Sequence, residues 1–100
     1  MQPGERDVMD RVLPDIVEDV IPGDMMPYLP CLTDDDKEQI LCEEENRGSR
    51  RAAYLLVDRL KRRRNGMFDF IRALSKTGCH HVVARIDEEI QKQNYRQPQP

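Results

Sequence analysis

The sequence predicts an all-α fold, a six-helix antiparallel bundle, on three observations. Apolar residues recur at spacings of three and four through successive stretches of the chain, which places them on single helix faces. No stretch alternates apolar and polar residues with period two, and no Asn-Gly turn joins two alternating runs. Breakers at Pro22-Gly23, Pro30, Asn46-Arg47-Gly48, Asn65-Gly66 and Gly78 cut the chain into pieces of helical length. One hundred residues are enough for one core without disulfide or metal staples.

The elements follow in order. Residues 1–4 read as a loose end. From Glu5, the pairs Val8/Met9, Val12/Leu13, Ile16/Val17 and Val20/Ile21 recur four residues apart and define an amphipathic first helix. Pro14 lies in its middle, where it deletes a backbone bond and crowds the preceding turn, so a kinked first helix or two half-helices is predicted. Asp24 is placed to cap a short second helix holding Met25, Met26, Tyr28, Leu29 and Leu32, which Pro30 ends or distorts. Thr33 and Asp36 have the spacing of a capping box and open a third helix, about 34–45, with Ile40 and Leu41 inward. Its first turn holds Asp34, Asp35 and Asp36, where the helix dipole favours them. Its last holds Glu43, Glu44 and Glu45, where the dipole does not. Acids set against the dipole point to a use other than helix stability.

Ser49 is the predicted cap of the fourth helix. From Arg50 to Arg64 the chain carries Arg50, Arg51, Arg59, Lys61, Arg62, Arg63 and Arg64 against one acid, Asp58, with Ala52, Ala53, Leu56, Val57 and Leu60 on a common face. Asn65-Gly66 stops it. A fifth helix, about 67–77, buries Met67, Phe70, Ile71 and Leu74 with Phe68 flanking, and Gly78 takes the C′ position. A sixth, about 79–92, turns Cys79, Val82/Val83, Ile86 and Ile90 inward and leaves Asp87-Glu88-Glu89 to solvent. The bundle is thus expected over 5–92, and 93–100 as a disordered tail or the start of a linker.

The net charge of −3 hides a division. Residues 1–46 hold fourteen acids and three bases, a net of −11, whereas 47–100 hold thirteen bases and five acids, a net of +8. Segregation on this scale implies surfaces of opposite sign. Attraction between the halves within one fold explains part of it, but exposed pairs contribute only about 0–1 kcal/mol each.

Several chemistries are excluded. No apolar run reaches eighteen residues, so no membrane insertion is expected, and the opening MQPGERD lacks a signal-peptide core. Three cysteines without a CxxC read as free thiols of the reducing cytosol, a cytoplasmic setting. Cys79-His80-His81 does not form a metal site, because adjacent helical residues diverge by about 100°. A cysteine nucleophile with a histidine base would need a pocket, an oxyanion donor and an orienting group, so no enzyme and no cofactor is expected. Nucleic acid is the rival partner, since Lys61, Arg62, Arg63 and Arg64 could grip phosphate. The acidic total and the lack of aromatics among these arginines, Tyr54 excepted, oppose it.

The stretch from Glu43 to Ile86 carries a family likeness. Its elements are the small polar turn Asn46–Ser49, Leu55-Leu56, the Asn65-Gly66 loop, Met67/Phe68 with Phe70/Ile71, and Ala73-Leu74-Ser75-Lys76-Thr77-Gly78. With Val20–Leu32 upstream, the chain over about 5–92 resembles the caspase recruitment domain (CARD) of the death-fold superfamily. The resemblance implies Greek-key topology and a non-enzymatic module that recruits and oligomerises CARD-containing partners in apoptosis or innate immunity. Those partners would be the chain itself, an adaptor or a caspase. It implies that a basic patch on helices 1 and 4 meets an acidic patch on helices 2 and 3 of the next domain. Here the first helix is acidic, with Arg6 and Arg11 its only cations, so the basic surface rests on Arg50, Arg51, Arg59, Lys61, Arg62 and Arg63. The acidic surface is assigned to Asp24, Asp34, Asp35, Asp36, Glu38, Glu43 and Glu44. A head-to-tail contact of this kind grows a helical filament unless it closes into a ring.

Overall fold

The computed structural model describes residues 1–96, and all their regular structure is helical. Six α-helices form: α1 (Pro3–Asp19), α2 (Pro22–Met25), α3 (Asp34–Arg47), α4 (Ser49–Lys61), α5 (Gly66–Lys76) and α6 (His80–Arg96). A 3₁₀ turn, Met26–Tyr28, continues α2. The apolar stripes meet in one core, with Met9, Ile16, Leu29, Ile40, Leu56, Leu60, Phe70, Leu74 and Ile86 fully buried. Helix α4 is its hub, packing along α3 and against α1, α2 and α5, while α1 also lies on α6.

The N-terminal residues are tied down rather than loose. Pro3 needs no partner for a missing N–H at the first helical position, and the Gln2 amide donates to Glu5 Oε1 at 2.9 Å. The Met1 ammonium donates to the carbonyls of Lys61 and Arg63, capping the end of α4, and Gln93 Nε2 donates to the Gly4 carbonyl at 3.0 Å. Helix α1 runs unbroken through Pro14, so two half-helices do not form. Pro14 lies on the exposed side, where water can take the carbonyl that its missing N–H leaves free.

The second segment is shorter than its apolar content implies. Ile21, not Asp24, is the N-cap residue, and Asp24 sits exposed in the first turn. Pro22 fits the first position of α2, but Pro27 and Pro30 cannot donate to an i→i−4 ladder, so one α-turn gives way to the 3₁₀ turn.

Gly48 alone joins α3 to α4. Its φ of +94° lies where side-chain-bearing residues are strained, and the surrounding space is empty, so conformation rather than packing requires glycine. It caps both helices: its N–H donates to the Glu44 carbonyl at 2.9 Å and its carbonyl accepts from Ala52 N–H at 3.1 Å. Ser49 is therefore the first residue of α4 and not its cap. Helix α4 ends at Lys61, ahead of the arginines at 62–64, as the Arg62 and Arg63 amides turn back to the carbonyls of Arg59 and Leu60. Gly66 begins α5 instead of merely stopping α4. A Cβ there would sit 2.2 Å from the Leu60 carbonyl oxygen, so only glycine permits this approach.

Helix α5 ends as expected, with Gly78 at C′ and the Cys79 amide reaching the Leu74 carbonyl at 2.8 Å. Ala73 fills the core position expected of Ile71, which is half-buried, and Leu41 of α3 is 44% exposed instead of inward. Helix α6 extends through 93–96, the expected start of the tail, and 97–100 of that tail lie outside the described residues. Glu89, expected in solvent, is 5% exposed in the α1–α6 seam, among Arg85 Nη2 and Lys92 Nζ at 3.4 Å and Arg11 Nη1 at 3.9 Å.

Candidate protein-docking surfaces

The expected acidic and basic surfaces meet first inside the molecule. Asp36 closes the α3 capping box with Thr33, donating its N–H to Thr33 Oγ1 at 3.0 Å and accepting the Thr33 N–H at 3.1 Å. The same carboxylate accepts Arg59 Nη1 at 2.9 Å and Arg63 Nη2. Only 2% of Asp36 is exposed, so it is not part of a docking surface, a correction to its sequence assignment. Burial would raise its pKa. The Thr33 amide and the two guanidinium groups outweigh that and hold it down at about 2. Arg59 and Arg63 are committed to this internal pair, and the Nε of each is buried without a hydrogen-bond partner among the described residues, Arg59 Nε lying 3.8 Å from Asp58.

Two further cations of the expected basic surface face acids of α1. Lys61 Nζ pairs with Asp10, and Arg50 Nη2 with Glu18. The acids of the first helix thus neutralise part of α4. Among the described residues Arg51 is exposed and makes no ion pair, and Arg62 pairs at 3.1 Å only with exposed Asp58 one turn away. Between them stands Tyr54, 53% exposed.

On the acidic side Asp24, Asp34, Asp35 and Glu38 are exposed, and Asp35 Oδ2 accepts Gln39 Nε2 at 2.8 Å. Glu43 pairs with Arg47 at 3.8 Å. Glu44 is structural: half-buried, it accepts the Gly23 amide at 3.1 Å and the Ser49 hydroxyl at 3.4 Å, pinning α2 and α4 to the end of α3. The acids placed against the α3 dipole therefore include one with an anchoring role.

Sequence reasoning assigned no surface to Phe68, Arg72 and Lys76, which are exposed on α5 and stand beside exposed Arg64 on its approach. The signal was present in the four-residue spacing of Phe68, Arg72 and Lys76, but Phe68 was read as flanking the core. It is 69% exposed and lines a shallow cavity of about 650 Å³ with Arg6, Arg62, Arg64 and Asn65.

His81 Nε2 lies 3.4 Å from Asp15 and 3.9 Å from Asp19, while His80 points to solvent. Among the described residues no group of three or more His, Cys, Asp or Glu side chains is arranged to hold a metal ion. No helix among them is long and apolar enough to cross a membrane.

Neither a curated protein nor a solved structure gives a significant match to the chain. The family model of the caspase recruitment domain, however, matches residues 1–90, from the start of the chain to Ile90 of α6. On that match and this six-helix bundle, the chain belongs to the caspase recruitment domain family, non-catalytic domains of homotypic protein–protein interaction in signalling.

Proposed function

We propose that the chain recruits and oligomerises CARD-bearing partners, itself among them or an adaptor or a caspase, in cytoplasmic apoptotic or innate-immune signalling. The cationic side of α4 docks on the acidic side of α2 and α3 of a neighbour. The observation that carries this reading is the separation of charge not tied into the core: Arg51 on α4 and Arg62 just past its end are exposed, and Asp24, Asp34, Asp35 and Glu38 are exposed on α2 and α3. The Arg62–Asp58 pair is an exposed one, worth about 0–1 kcal/mol, and gives way readily. Arg50, Arg59, Lys61 and Arg63 shape the field but are already paired within the domain. Such a contact is heterologous and propagates into a helical filament if it does not close. The nucleic-acid alternative loses support, because Lys61 and Arg63 of the cationic run are tied to Asp10 and Asp36.

The test is charge reversal followed by light scattering, with circular dichroism confirming the fold. Arg51→Glu/Arg62→Glu should stay helical and fail to assemble, and a partner with Asp35→Arg/Glu38→Arg should restore binding to it. Undiminished assembly by the folded reversal variant would sink the α4 docking mechanism.

A further inference from the structure

Ion pairing within the fold leaves two helix faces whose charges are unanswered. On α3, Asp34, Glu38, Leu41 and Glu45 follow spacings of four, three and four, so they form one stripe along the helix. All are exposed, and none of the three acids takes part in an ion pair or side-chain hydrogen bond among the described residues. On α5, Phe68, Arg72 and Lys76 form a second stripe, which Arg64 extends across the preceding turn to line the same cavity as Phe68. These three cations are likewise exposed and unpaired among the described residues, unlike Arg50, Arg59, Lys61 and Arg63.

Each stripe also carries one large apolar side chain exposed among charges, Leu41 at 44% and Phe68 at 69%. An apolar centre ringed by polar residues is the usual anatomy of a binding hot spot, and aromatic and arginine side chains are over-represented there. The two faces match element by element. Along a helix, residues four apart are separated by about 6 Å, so seating Phe68 on Leu41 brings Arg72 to an acid one turn away, while Arg64, beside Phe68 in the same cavity lining, faces the acid on the other side from the turn before α5.

We infer that the α5 stripe Arg64–Phe68–Arg72–Lys76 docks on the α3 stripe Asp34–Glu38–Leu41–Glu45 of a second copy of this chain, with Phe68 against Leu41. The inference rests on the homotypic reading above and moves its centre: the basic side of the contact continues from Arg62 around the α4–α5 corner onto α5. The occupant is a second copy because the chain itself supplies the complementary face. A polyanion would also answer the cations, but it offers no counterpart to the acidic stripe.

The test measures assembly of the full chain against concentration by light scattering, beside thermal melts. Phe68→Ala and Arg64→Glu/Arg72→Glu, all at exposed positions, should melt like the parent and need at least tenfold higher concentration to assemble. Leu41→Ala should do the same, and mixing Arg64→Glu/Arg72→Glu with Glu38→Arg/Glu45→Arg should return assembly towards the parent curve. Parent-like assembly by both folded α5 variants overturns the inference while leaving the α4 mechanism to its own reversal test. Failure of the mixed pair to recover overturns the assignment of α3 as the receiving face. A parent chain that stays monomeric at every concentration removes both readings. Normal self-assembly of Arg64→Glu/Arg72→Glu with loss of a single-stranded oligonucleotide shift that the parent shows would assign the stripe to a polyanion instead.

Discussion

Arg59 Nη1 lies 2.9 Å from Asp36 Oδ1, and Asp36 is only 2% exposed. This pair binds the first turn of α3 to the last turn of α4, and Arg63 completes it from the turn beyond. Removing one member of a buried pair strands the others. Asp36→Ala would leave two guanidinium groups facing one another and open the Thr33 capping box, so a loss of about 3–5 kcal/mol is expected. Arg59→Ala should cost less, since Arg63 still answers the carboxylate. Urea unfolding of both variants checks the order, and an Asp36→Ala loss under about 1 kcal/mol would show that solvent replaces the pair.

The same carboxylate sets part of the acid stability. Its pKa in the folded protein is about 2, below the ordinary value of 3.8, so the unfolded chain takes up a proton where the folded one does not. Its stabilisation, on the order of 2 kcal/mol, is therefore complete above about pH 5 and lost as pH falls from about 4 to 2. Asp36→Asn should be less stable at neutral pH and show a flatter decline over that interval. Parallel stability–pH curves for the two proteins would refute this account.

Leu56 is fully buried at the centre of α4. Leu56→Ala removes apolar contact and leaves a cavity, costing about 2–5 kcal/mol. Against a total of about 5–15 kcal/mol that is enough to depress the melting temperature by many degrees or to unfold the domain. A melt within a degree or two of the parent would mean the site collapses around the smaller side chain.

The cysteines differ in exposure. Burial, with the adjacent Asp69 carboxylate, pushes the Cys31 thiol up to about 12, so almost none is thiolate at neutral pH. Cys42 is exposed on α3. Iodoacetamide at pH 7.5 should label Cys42 rapidly and spare Cys31 until denaturant is added, as read by peptide mass. Equal labelling of the two in the folded protein would contradict this environment.

How much of this was legible depended on the kind of interaction. Helix number, the Thr33/Asp36 box, the Leu56 face of α4 and the Gly78 terminus rest on periodicity and local chemistry, and each appears in the structure. The reach of α1 to Pro3 was not legible, because Met1 is held by carbonyls sixty residues away in sequence. Nor was the division between committed and free charge. Asp36 and Asp35 are neighbours of the same type, yet one is buried between two arginines and the other is exposed. That difference follows from the rotation of α3 against α4, which no local pattern encodes. Hydrophobicity alone places Leu41 inward and Phe68 at the edge of the core, although Ile40 and Phe70 already fill the core beside them.

Gly48 has a consequence for how sequences of this fold can change in length. A joint of one residue leaves no slack between α3 and α4. Adding a residue to the helix there turns everything beyond it by about 100° and advances it by about 1.5 Å. Such a turn would swing Leu56 out of the interior and carry Arg59 away from Asp36 together, so the ion pair and the core would be lost in one event. Length variation at this junction is tolerable only where the added residues loop out and leave the phase of α4 untouched. The joint thus works as a gauge that fixes the angular setting of one helix against the next.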